Sequence, residues 1–155
     1  MIGESLIPRA QPPQSTGAAV VAKAKTSAPA KQAAPEEIED IGALLASASP
    51  DAGKKTFKKC KACHTIGKGE ASKVGPNLWD VVGADRAARD GFKYSAAMAG
   101  LGGNWGFEEL NAFLTKPKAY APGTKMAFAG IKKAADRAAV IVFLRGQSDA
   151  PVSLP

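Results

Sequence analysis

The residues of this chain that are best suited to chemistry lie close together, in the segment KKCKACHT (residues 58–65). Both cysteines of the 155-residue chain, Cys60 and Cys63, and its only histidine, His64, fall within five positions there. Sulfur and imidazole nitrogen are ligands and nucleophiles. Four kinds of site are therefore compatible with the segment: a disulfide, a zinc site, a redox dithiol or a covalent haem attachment.

Spacing and residue count separate these alternatives. A disulfide between Cys60 and Cys63 would close a loop too small to stabilise the fold much. A structural zinc site needs four ligands, and the chain has only three Cys and His residues in total. A redox dithiol usually belongs to a βαβ unit, for which the sequence has no strand pattern. Cys-x-x-Cys-His puts both sulfurs on one helical face, each able to form a thioether, and lets His64 reach the iron, so we interpret the motif as a haem attachment.

The second axial ligand of such a haem would have to be a methionine, because the chain has no other histidine. Most methionines simply fill gaps in a core. Met126 stands apart, because it lies in PKAYAPGTKMAF (residues 117–128), where two prolines and a glycine stiffen a loop that could hold a thioether at a fixed distance. Met98 lies on an expected short helix, and we interpret it as packing against the haem or the core.

Short helices and long loops are expected to position these residues, which indicates an all-α fold. Ser49 as N-cap and Pro50 at the first helical position predict a helix that runs to about Cys63. Pro117 is expected to stop a later helix, and no strand pair is predicted. The other expected helices are 38–48, 94–99, 107–115 and 132–146, and the expected loops are 66–77 and 120–130. Such a domain buries little apolar surface by itself, and a prosthetic group in its core would relieve that.

Composition divides the chain into two parts. Residues 1–49 carry a net charge of −1, whereas the remaining residues hold 17 basic and 9 acidic groups and so account for all of the formal charge of +7. Residues 8–37 are rich in Pro, Ala, Gln, Ser and Lys and contain no aromatic residue, as expected for an extended, semi-stiff spacer. We expect a flexible Pro/Ala-rich linker over residues 1–48 and a folded haem domain over residues 49–155.

From about Asp51 to Pro155 the chain resembles class I cytochromes c, most closely the mitochondrial-like cytochromes c of α-proteobacteria. The matching stretches are CKACHTIGKG, KVGPNLWDVVG, GFKYSAAM and NWGFEELNAFLTKPKAYAPGTKMAFAGIKKAADRAAVIVFL. The separation of 62 residues between His64 and Met126 matches the ligand spacing of that family. The resemblance implies the cytochrome c fold, in which four to five short helices and long loops wrap around one covalently bound haem c.

The resemblance also implies roles for individual residues. Cys60 and Cys63 correspond to the thioether cysteines, and His64 and Met126 correspond to the axial ligands. The carbonyl of Pro76 corresponds to the acceptor of the His64 ring N–H. Hydrogen bonds to the haem propionates are implied for Tyr94 and Trp105, and places around the haem are implied for Asn77, Leu78, Leu114, Thr124 and Phe128. Packing of Gly53 and Phe57 against Val140 and Phe143 is implied as well.

Three positions depart from the family pattern. Ala84 stands where the family usually has an arginine near a propionate; either Arg86 substitutes from two residues on, or the charge of the propionate is less well compensated. Phe113 stands where many members have a tyrosine hydrogen-bonded to the methionine sulfur, so that hydrogen bond is lost. One residue fewer separates Phe57 from Cys60 than in mitochondrial members.

The resemblance implies a one-electron carrier and not an enzyme, with the cytochrome bc1 complex as donor and an aa3-type cytochrome c oxidase as acceptor. A lysine-rich face around the haem edge would meet these partners. Its expected members are Lys58, Lys59, Lys61, Lys68, Lys118, Lys125, Lys132 and Lys133. The alternative is a haem enzyme with peroxidase-like activity after loss of the Met126 ligand. Nucleic acid is not expected as a partner, because no basic–aromatic platform is visible.

The expected location is the periplasmic side of the bacterial inner membrane, with the protein a monomer. Some α-proteobacterial relatives are held to the membrane by an N-terminal helix and a flexible Ala/Pro-rich linker. IGESLIP (residues 2–8) resembles the sequence just outside such an anchor. We therefore expect the natural protein to have a transmembrane helix upstream of Met1.

Overall fold

A computed structural model describes residues 38–155, and the statements below concern those residues. Most of the predicted linker, residues 1–37, lies outside the described residues. The described part is all-α, as predicted, although it has six helices rather than four or five. They are α1 (Gly42–Ser47), α2 (Pro50–Phe57), α3 (Ala96–Ala99), α4 (Phe107–Thr115), α5 (Pro117–Tyr120) and α6 (Ala134–Arg145). Within 38–155, strand-like pairing is limited to one antiparallel bridge between Asp85 and Asn104.

The centre of the fold is the crossing of α2 and α6. Gly53 allows the close approach, because a Cβ at this position would lie 2.0 Å from the Ala139 carbonyl oxygen. The rings of Phe57 and Phe143 pack beside the crossing with their centroids 5.4 Å apart. The implied packing of Gly53 and Phe57 against the last helix is therefore present, with Ala139 and Phe143 as the contacts.

Helix α2 ends at Phe57, not near Cys63 as predicted. The pattern of backbone hydrogen bonds changes there. The N–H groups of Lys58, Lys59 and Cys60 donate to carbonyls three residues back, which is the tighter 3₁₀ pattern and not the α-helical one. The chain then turns again, and the His64 N–H donates to the Cys60 carbonyl at 2.9 Å. The two cysteines and the histidine thus lie on a hydrogen-bonded turn that leaves the end of α2.

Helix α1 belongs to the packed body, although its residues were assigned to the linker. Ile41 is 0% exposed and Leu45 is 1% exposed, and both join the hydrophobic core. The preceding residue Glu39 accepts a hydrogen bond from the Asn111 side chain at 2.8 Å through its backbone carbonyl. The brief helix predicted over 38–48 is present as α1, but the linker boundary at residue 48 does not hold there, because Leu45 of α1 and the N-cap residue Ile41 are buried in the core.

The other helices differ little from the predictions. Helix α4 ends at Thr115, as predicted. Pro117 then begins the short helix α5, which ends where the predicted loop starts. Helix α6 occupies Ala134–Arg145 within the predicted range of 132–146. In the part of the chain that the structure describes, no helix has the length and apolarity that a membrane crossing requires.

Candidate functional site

A cavity of about 540 Å³ opens between α6 and the segments that join α2 to α6 in sequence. Its wall is mostly apolar and includes side chains from α3, α4 and α6, among them Met98, Phe113 and Val140. All nine residues that the sequence proposed for cofactor or metal binding lie on this wall: Cys60, Cys63, His64, Pro76, Tyr94, Trp105, Thr124, Met126 and Phe128. The accessory positions Asn77, Leu78 and Leu114 line it too.

The His64 ring is held in one orientation. Its Nδ1 lies 2.7 Å from the carbonyl oxygen of Pro76, which can only accept, so Nδ1 carries the hydrogen and Nε2 keeps its lone pair. Gly75 packs against the ring face, since a Cβ there would be 2.3 Å from the His64 Cε1. Burial lowers the pKa of His64, against a smaller opposing effect of the Pro76 hydrogen bond. The ring is therefore prepared to bind a metal through Nε2.

The two thiols do not resemble a redox dithiol. Cys60 and Cys63 are not joined to each other, and Cys60 is half-buried while Cys63 is exposed. Burial raises the pKa of the Cys60 thiol to about 11, although Lys59 partly opposes the rise. Reactive dithiols depend on a lowered thiol pKa. The buried thiol of Cys60 and its place on the cavity wall are compatible with a covalent bond to a group in the cavity.

The loop that carries Met126 is fastened on both sides. The Met126 N–H donates to the Thr124 hydroxyl oxygen at 3.2 Å. The Lys125 ammonium donates to the Lys93 carbonyl at 3.0 Å, which ties this loop to the chain before α3. After the loop, the Ile131 N–H donates to the Leu114 carbonyl at 2.8 Å. These bonds hold the Met126 thioether on the cavity wall.

Aromatic side chains form another part of the wall. Trp105 is buried and packs on Phe113, with the ring centroids 5.0 Å apart, and Tyr120 packs on the other edge of Phe113 at 5.7 Å. Phe113 is 7% exposed and has no hydroxyl to offer the Met126 sulfur, as its sequence position predicted. Met98 is also buried and lines the cavity, which agrees with its predicted packing role.

The structure revises the expectation for Arg86. Its guanidinium carbon lies 5.1 Å from the Trp105 ring centroid and 5.7 Å from that of Tyr120, and the side chain is not on the cavity wall. Arg89 lines the cavity instead. Sequence reasoning missed Arg89, which lies in an irregular loop where Ala87 has a left-handed conformation (φ 56°) that no glycine signals.

The donor set fits a covalently bound haem c. Two thiols on one turn, an imidazole with a free Nε2 and a thioether from a distant loop border a single apolar cavity. Cys60 and Cys63 would hold such a group by thioethers, and His64 and Met126 would supply its two axial ligands. The individual roles remain predictions.

Comparisons with known proteins agree with this chemistry. The family described as Cytochrome c matches residues 50–148. A "Cytochrome c homolog" of Bradyrhizobium diazoefficiens is 51% identical over 118 residues, which are 76% of this chain and 64% of that protein. The "Cytochrome c-type cyt cy" of Rhodobacter capsulatus is 52% identical over 94 residues, covering 60% of this chain and 46% of that protein. The chain thus spans less than two thirds of the length of these two relatives.

A solved structure shares the fold. Cytochrome cH from Methylobacterium extorquens superimposes with a TM-score of 0.60 and 38% sequence identity, over 63% of this chain and 98% of that one.

Proposed function

The chain belongs to the cytochrome c family, whose members bind one haem c covalently, and on this premise we propose that it is a one-electron carrier of a respiratory chain. When bound, the haem supplies a single Fe(III)/Fe(II) step. The observation that carries the proposal is the pair of fastened donors, His64 and Met126, on the wall of one cavity. His64 and Met126 would together occupy both axial positions of the iron and would leave no site for a substrate, which favours electron transfer over catalysis.

The residues around the donors suit this role. The Pro76 carbonyl fixes the orientation of His64, and Thr124 and Lys125 fasten the loop of Met126. Ligands that are held in place keep the structural rearrangement small when the iron gains or loses an electron. Phe113, Leu114 and Leu110 exclude water from one wall and lower the local polarity. A soft thioether and an apolar surrounding both favour the reduced state.

The proposed partners are a cytochrome bc1 complex as donor and an aa3-type oxidase as acceptor, met through the lysine-rich face. All eight predicted members of that face are exposed. Lys59 and Lys125 also border the cavity, whereas Lys68 forms an ion pair with Asp149 and is less free to attract a partner. Exposed cations near a redox centre steer an acidic partner and raise the association rate.

Salt dependence tests this surface. The rate of reduction by bc1 should fall steeply as ionic strength rises. Lys59→Gln should slow the bimolecular rate several-fold at low salt, whereas Lys54→Gln, an exposed site on α2 away from the cavity, should leave it nearly unchanged. A rate that is insensitive to salt, or equal effects of the two variants, would rule out the proposed face.

We further propose a periplasmic location at the inner membrane, with the Pro/Ala-rich segment of residues 8–37 as a linker behind an N-terminal anchor. The composition of residues 8–37 supports the linker. The reading frame upstream of Met1 tests the anchor. An apolar run of about 20 residues is expected there, and a stop codon or a cleavable signal would exclude it.

A second candidate is a haem enzyme with peroxidase-like activity. Phe113 favours it to some extent, because without a hydroxyl it cannot hydrogen-bond the Met126 sulfur and so leaves that ligand less secured. If the protein is a peroxidase-like enzyme, the wild type should turn over hydrogen peroxide at a rate close to that of Met126→Ala. If it is an electron carrier, only the variant should show turnover.

A further inference from the structure

Arg89 is a cation on the cavity wall without an anionic partner. Its Nε donates to the Asn77 carbonyl at 3.1 Å, and its Nη2 donates to the Trp79 carbonyl. Both acceptors are neutral. Within residues 38–155, ion pairs form only between Lys68 and Asp149 and between Arg137 and Glu39. A half-buried guanidinium that only neutral carbonyls hold is not neutralised by a carboxylate, so its charge can act on a group in the cavity that it lines.

Tyr94 lies beside this charge. The backbone N–H of Arg89 donates to the Tyr94 hydroxyl oxygen at 3.2 Å. The hydroxyl therefore already accepts one bond, and its own hydrogen remains available for an acceptor in the cavity. Burial raises the pKa of Tyr94, against the opposing effect of Arg89, so the group stays a donor at neutral pH. A cation and a hydroxyl donor on one stretch of wall form a pair suited to a carboxylate.

The other charged groups of the wall do not supply this pairing. Lys59 and Lys125 are exposed, and the Lys125 ammonium is taken by the Lys93 carbonyl. Asp80 and Asp85 are exposed carboxylates on the wall, and neither is within ion-pair distance of Arg89. Arg86, the other arginine of this loop, lies off the wall against Trp105.

We propose that Arg89 binds and offsets the charge of the haem propionate to which the resemblance already implies a hydrogen bond from Tyr94. The proposal deepens the proposed function and rests on haem being bound in this cavity. Arg89 does not occupy the position at which the family usually has its arginine. In this protein it would nevertheless be the residue that compensates the negative charge beside the haem. Offsetting an anion next to the iron favours the reduced state.

Three variants separate charge from structure. Arg89→Gln removes the cation, Arg89→Lys keeps the charge but loses the planar fork that binds two carbonyls, and Arg86→Gln removes the neighbouring cation off the wall. The midpoint reduction potential of each haem-loaded protein is measured by spectroelectrochemistry between pH 5 and 9, and its urea unfolding is followed in parallel.

Arg89→Gln should lower the ratio of reduced to oxidised protein at a fixed potential by roughly three- to tenfold, the size of a charge interaction at an effective dielectric constant of about 20. The pH at which the potential starts to fall should also move upward, because a propionate without its cation holds its proton more tightly. Arg89→Lys should keep a near wild-type potential while losing stability.

Equal potential shifts in Arg89→Lys and Arg89→Gln would assign the effect to structure and overturn the proposal. A larger shift in Arg86→Gln than in Arg89→Gln would transfer the role to Arg86. Failure of the wild-type protein to show a c-type spectrum would instead refute the proposed function, so the two failures are distinguishable.

Discussion

At the residue scale, the account depends most on which methionine reaches the iron. Met126 lies on a loop fastened by Thr124 and Lys125, whereas Met98 is buried on α3 and also lines the cavity. We expect the weak far-red band of methionine-bound ferric haem to vanish in Met126→Ala and to persist in Met98→Ala. Absorption spectra of the two oxidised variants test this, and the reverse pattern would overturn the axial assignment.

Tyr94 gives the site a predictable response to alkali. Burial raises its pKa above the ordinary value near 10, so the folded protein keeps the phenolic proton at a pH where the unfolded chain has lost it. The contribution of Tyr94 to stability is thus complete below about pH 9 and declines as pH rises beyond 10.

Urea unfolding of wild type and Tyr94→Phe at a series of pH values tests this response. The difference in unfolding free energy between them should be constant up to about pH 9 and should shrink above pH 10. A difference that does not change with pH would show that Tyr94 titrates alike in both states.

Individual residues also show how much of the site could be predicted from the sequence. Cys60, Cys63, His64 and Met126 could be found because their side chains are rare and their spacing is tied to chemistry. Arg89 could not, because arginines are common in polar loops and its residue type does not mark a place on the cavity wall.

At the element scale, α1 is the main surprise. The sequence predicted a brief helix there but assigned it to the linker, whereas Leu45 of α1 and its N-cap residue Ile41 are buried in the core. A short apolar stripe does not reveal which surface will cover it, so this burial could not be predicted.

Truncation of the α1 side chains tests this packing. Ile41→Ala should lower the unfolding free energy by about 2–4 kcal/mol, because Ile41 is fully buried. Ile38→Ala, at a residue that is 46% exposed just before α1, should change it by less than about 0.5 kcal/mol. Equal and small effects in chemical denaturation would contradict the packing of α1.

A buried arginine links α1 to the Met126 loop. Arg137 is 2% exposed and donates to the Asn111 side chain at 2.7 Å and to the carbonyls of Ile131 and Lys132 at 2.9 and 2.7 Å. The Glu39 carboxylate stands 3.5 Å from its Nη2. One side chain of α6 therefore holds both the segment before α1 and the chain that leaves the Met126 loop.

At the scale of the whole molecule, the described helices and loops surround a mostly apolar cavity of about 540 Å³. The donors that border this cavity come from parts of the chain that are distant in sequence. A covalently bound group would connect them and complete the core. Fold and function therefore depend on the same cofactor.

The central claim is that Cys60 and Cys63 hold one haem c whose iron His64 and Met126 ligate. A reduced-minus-oxidised spectrum of the purified protein, repeated after denaturation and removal of free haem, tests it most directly. The account predicts a c-type α-band and haem that stays on the denatured chain, and it predicts loss of the retained haem in the Cys60→Ser, Cys63→Ser double variant. A protein without the α-band, or one whose haem is released on denaturation, would contradict the account.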